Sequence, residues 1–83
     1  MKSASLTPYQ AIQAFIAILN PTVRKYVVEN DVMLMNLING YMDGLVETER
    51  ITRHAAASAV LNARWMARSI LDEMESNNAE AHA

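Results

Sequence analysis

The sequence predicts an all-α fold: a small bundle of three to four helices with a long C-terminal helix, dimeric in its working form. Three observations carry that expectation. Glycine and proline together make up only 4 of 83 residues and stand where helices begin, end or pack. Apolar residues recur at i, i+3, i+4 and i+7, the spacing of one buried helical stripe. Capping residues stand immediately before these stretches.

The first helix opens at Thr7-Pro8-Tyr9-Gln10, where Thr7 can cap the amide of Gln10, Gln10 can reach back, and proline suits the first turn. Ile12, Phe15, Ile16 and Leu19 form its stripe, with Gln10, Gln13 and Ala17 opposite. Asn20-Pro21 ends this helix and starts a short second one, Pro21 to about Glu29, with Val23, Tyr26 and Val27 on one side and Arg24, Lys25 and Glu29 elsewhere. Asn30-Asp31 reads as a stop and a new cap, although the same pair could sit inside one continuous bent helix.

From Val32 to about Val46, Leu34, Met35, Leu37, Ile38, Tyr41, Met42 and Leu45 share one broad face. Asn36, Asn39 and Asp43, with Val32 among them, form a narrow polar stripe. A helix apolar over so much of its circumference is expected to be central and surrounded. Gly40 and Gly44, one turn apart, would let a neighbouring backbone approach closely, at a propensity cost of about 1 kcal/mol each. Thr48 or Thr52 can cap the last helix, predicted to run unbroken from Thr52 to about Ser76. Its seam is Ala56, Ala59, Val60, Ala63, Met66, Ala67, Ile70, Leu71 and Met74. The domain organisation expected is a flexible N-terminus over 1–6, one helical domain over 7–76 and a disordered tail over 77–83.

Association follows from size. Beyond 13 alanines the chain has 30 larger apolar residues, enough for one core, and a domain this small buries only about 60% of the surface its unfolded chain exposes. With no cysteine and only His54 and His82, neither disulfides nor a metal site can supplement that core. The missing cysteine fits a reducing compartment, and a cytoplasmic location is expected. The longest apolar run, Ala14 to Leu19, is far short of the roughly 20 residues that span a bilayer. Lys2 and the apolar stretch from Ala11 imitate a signal peptide only faintly, since Gln13 interrupts it and Asn20-Pro21 stands where a cleavage site would be.

Candidate functional residues lie on the last helix. Roughly opposite its seam are His54, Leu61 and Trp65, with Arg68 beside them, a composition enriched at interface centres. Either this patch binds a partner or the first helix folds over it. Arg53, Arg64 and Arg68 form a stripe in a segment, Arg50 to Arg68, that carries four arginines and no acid, while Glu29 to Glu49 carries five acids and no base. Charge pairing and solvated surface is the favoured reading of that segregation, given a net charge of -2; nucleic-acid contact is the alternative. A helix-turn-helix over Tyr26 to Leu45 would offer its groove Asn36, Asn39 and Asp43 but no arginine or lysine, and Met1 to Leu6 lacks the alternation of a DNA-reading strand. The methionines Met33, Met35, Met42, Met66 and Met74 read as core rather than as an adaptable groove.

No phosphate loop, nucleophile with a base, or carboxylate pair is legible, so no catalytic residue, cofactor or metal is expected. The function predicted is a non-enzymatic interaction or adaptor module. It would act as a homodimer presenting a helical surface to a macromolecular partner, with a nucleic-acid-associated regulator as the alternative.

Overall fold

Five helices make up the described residues: α1 (Pro8–Ile18), α2 (Pro21–Glu29), α3 (Asp31–Glu47), α4 (Arg53–Leu61) and α5 (Ala63–Ala81). The computed structural model describes the backbone over 5–81 and side chains over 5–77. The predicted all-α class holds, and the count of three to four helices is corrected to five.

Helix starts follow the capping chemistry. The Gln10 N–H donates to Thr7 Oγ1 at 3.1 Å and the Thr7 N–H donates to Gln10 Oε1 at 3.0 Å, closing the reciprocal box. Asn20 accepts from the Thr22 N–H at 3.0 Å, Asn30 from the Met33 N–H at 3.1 Å, and Thr52 from the Ala55 N–H at 3.0 Å. Asn30 is extended rather than helical, so α2 and α3 are separate rods.

The long C-terminal helix is broken at Asn62, whose backbone leaves helical geometry at φ -108° and ψ 11°. Its side-chain amide donates to the Ser58 carbonyl at 2.9 Å, and its Oδ1 accepts from the Trp65 indole N–H at 3.0 Å. Asparagine competes in this way with the backbone's own ladder. On either side the ladder resumes, with Asn62 N–H to the Ser58 carbonyl and Met66 N–H to the Asn62 carbonyl, both 3.1 Å. The predicted seam therefore survives the break: Ala56, Ala59, Ala63, Met66, Ala67, Ile70 and Leu71 are buried, with Val60 and Met74 packed at their edge.

Ala11, Ile12, Phe15 and Ile16 of α1 pack on α3, α4 and α5. Alanines along the seam let α1 approach closely, and Phe15 meets Tyr41 of α3 with ring centroids 5.6 Å apart, tilted by 57°. The Tyr9 hydroxyl donates to Glu73 Oε1 at 3.1 Å, tying α1 to α5 a second time.

α2 divides the side that periodicity groups. Val27 and Val28 are buried while Val23 and Tyr26 face out. Arg24 shares the inner face at i, i+3, i+4 and donates from Nε to the Ile16 carbonyl at 3.0 Å and from Nη2 to the Ala17 carbonyl at 3.3 Å. Its cation thus stands against the carbonyls at the end of α1, where the helix dipole is negative, sharing that of Ile16 with the Leu19 N–H.

α3 touches all four other helices, as a central element should, but it is not surrounded. Its buried arc narrows to Leu34, Ile38, Met42 and Leu45, while Leu37 is exposed along with Asn36, Asn39, Gly40, Asp43, Gly44 and Glu47. No helix comes close to the glycines: a methyl group added at Gly40 or Gly44 would meet nothing within 4 Å. α3 ends in a Schellman turn, with Glu49 N–H to the Val46 carbonyl at 3.0 Å and Arg50 N–H to the Leu45 carbonyl at 2.8 Å. Glu49 occupies the left-handed position at φ 58°, where glycine is usual.

Two boundaries also move. Of the predicted flexible 1–6, residues 1–4 lie outside the described residues, whereas Leu6 packs against the core and donates its N–H to the Arg50 carbonyl at 3.0 Å. Of the predicted disordered 77–83, the helix continues to Ala81, with residues 82–83, His82 included, outside the described residues. Met74 is the last described side chain to touch the core; Glu75, Ser76 and Asn77 are exposed. The extents of 43 × 32 × 19 Å make the molecule about two helices thick, since a helix with its side chains is roughly 10 Å across.

Candidate interaction surface

Because the seam of α4 and α5 faces inward, the opposite side of both helices faces water. Leu61 is 85% exposed and Trp65 is 58% exposed. α1 lies against the seam, so the arrangement in which the first helix covers these two residues is not adopted. His54 and Arg68 are exposed as well, so all four residues of the predicted patch are accessible. The Trp65 indole N–H is satisfied by Asn62, which fixes the ring as an outward apolar plate.

Arg64 reaches across to the start of α3, placing Nε 3.4 Å from Asp31 Oδ1. Both partners are well exposed, so the pair adds little stability but does connect two surface regions. Asp31 lies in a shallow depression at the α2–α3 joint that Tyr26 and Val32 also line, and both of these are exposed. Sequence reasoning missed this extension. Periodicity groups Tyr26 with Val23 and Val27, and the one signal for Val32 is its place in the polar stripe with Asn36, Asn39 and Asp43.

An open groove of about 680 Å³ lies between α3 and α4. Met42, Val46, Ala56 and Val60 give it an apolar floor, Asn39, Asp43 and Glu47 form the α3 rim, and Arg53, Ala57 and Leu61 form the α4 wall. Met42 alone of the described methionines lines it; the others described pack in or against the core.

The arginine stripe is divided among these features. Arg53 lines the groove opposite acids, Arg64 is paired with Asp31, and Arg68 is exposed without an ion-pair partner among the described residues. Of the charge pairing expected between the acidic and basic segments, Arg64–Asp31 is the one ion pair among the described residues. No described polar or charged side chain is buried, and no described group of three or more His, Cys, Asp or Glu could hold a metal ion. No described helix is long and apolar enough to cross a membrane. No family model, curated protein or solved structure matches this chain.

Proposed function

We propose that the chain is a non-enzymatic helical interaction module that acts as a homodimer and presents a helical surface to a macromolecular partner. The supporting observation is the exposure of Leu61 and Trp65 on the outside of α4 and α5, while the same helices spend their other side on the core. An exposed tryptophan with arginine beside it is the composition enriched at interface centres. The nucleic-acid reading has less support, because Arg53 and Arg64 each stand beside α3 acids, which leaves no continuous basic stripe for phosphates.

The experiment is absolute mass by light scattering, at micromolar concentration in low and high salt, for the wild-type chain and a Leu61→Ser, Trp65→Ser double variant. A salt-resistant dimer that becomes a monomer with unchanged helical circular dichroism is the expected result. A wild-type chain that stays monomeric at all concentrations overturns the homodimer. A steeply salt-dependent gel shift with duplex DNA or RNA, lost in Arg64→Ala, would establish the alternative instead.

A further inference from the structure

We propose that the groove between α3 and α4 is the seat of a second copy of this chain, docked hairpin to hairpin about a two-fold axis that runs along the groove. The inference rests on the homodimer reading above and names the surface that performs it.

A two-fold interface must be self-complementary, because one patch meets itself. This groove carries both halves of each complement. It has an apolar floor, and at one end it has Leu61, the most exposed large apolar side chain described. It has acids on one helix, Asp43 and Glu47, and a cation on the other, Arg53, and none of the three forms an ion pair with another described residue.

Charge then selects the orientation. The turn at 48–52 makes α4 double back along α3, so Glu47 and Arg53 share the turn end of the groove, and Asn39 and Leu61 share the far end. Two hairpins can face each other about an axis across the groove or an axis along it. The first lays α3 on the partner's α3 in reverse and brings Asp43 onto the partner's Asp43. The second lays α3 on the partner's α4, with Glu47 facing the partner's Arg53 twice over, by symmetry, and each Leu61 entering the other copy's side of the groove. Like charges placed opposite suppress the first arrangement, and opposite charges fix the register of the second.

Two single charge reversals and their mixture test this. Glu47 and Arg53 are exposed and outside the core, so Glu47→Arg and Arg53→Glu are expected to keep the fold, checked by circular dichroism. Each alone sets like charges across the interface twice and is expected to raise the dimer dissociation constant by about tenfold or more. Mixed, they are expected to restore a one-to-one heterodimer, since both cross-contacts then pair opposite charges. Ala57→Gln, on the exposed α4 wall, narrows the groove without changing charge and should weaken the dimer too. If the wild-type chain is dimeric and neither reversal nor Ala57→Gln weakens it, the groove is not the seat and the homodimer reading stands alone. If both reversals weaken it and the mixture does not recover, the orientation is wrong. A monomeric wild type overturns both proposals together.

Discussion

The α1–α5 half and the α3–α4 hairpin are built from similar residues and packed to opposite ends. Where α1 meets the seam, alanine serves contact: Ala11, Ala59, Ala63 and Ala67 are fully buried, and Ile12 and Ile16 fill the space they leave. On the outer side of the hairpin, small residues serve openness. Ala57 lines a groove, and Gly40 and Gly44 face empty space at a helix-propensity cost with no intramolecular return. The left-handed Glu49 at the end of the same helix adds a second local cost. One half thus concentrates stability, and the other gives some up while leaving surface free. That division is what a protein selected for contact, above a stability threshold, is expected to show.

The largest break in this comparison should come from Ile16, fully buried in α1: Ile16→Ala is expected to cost about 2–5 kcal/mol, enough to unfold much of a marginal domain, as read by urea denaturation. A sharper contrast lies within α4. Measured on the monomeric chain at high dilution, Ala59→Leu, which overpacks the seam, should cost about 1–3 kcal/mol, while Ala57→Leu, two residues away on the exposed wall, should stay within about 0.5 kcal/mol. Opposite in sign, Gly40→Ala and Gly44→Ala should each raise stability by about 0.5–1 kcal/mol, seen as a higher Tm of the isolated chain. Should either lower it, these glycines answer to something other than propensity.

Much of the stable half was legible in sequence because its signals are local. The Thr7 box, the Ile12–Phe15–Ile16 stripe and the alanine seam each need only a period and a cap. The misreadings occur where a side chain serves another element. Arg24 stands away from the apolar side expected of α2, yet its guanidinium donates to two carbonyls at the end of α1. Asn62 sits in an alanine-rich run with no proline or glycine to announce a break. The exposure of Leu61 and Trp65 depends on where α1 packs, and the groove depends on how α4 lies on α3. Both are tertiary facts that a helical wheel does not contain.

The Asn62–Trp65 bond also gives the molecule an optical probe. Trp65 is the sole tryptophan of the chain, so its emission reports one place only. That place is the joint of α4 and α5, on the outward surface, with the indole N–H held by a side chain at 3.0 Å. A half-exposed indole emits toward the red, and covering it shifts emission to the blue. Asn62→Ala would change the spectrum by freeing the N–H, whereas docking would change it by excluding water. Quenching by iodide separates the two, since only docking shields the ring, and an unlabelled titration can therefore follow what settles on this surface.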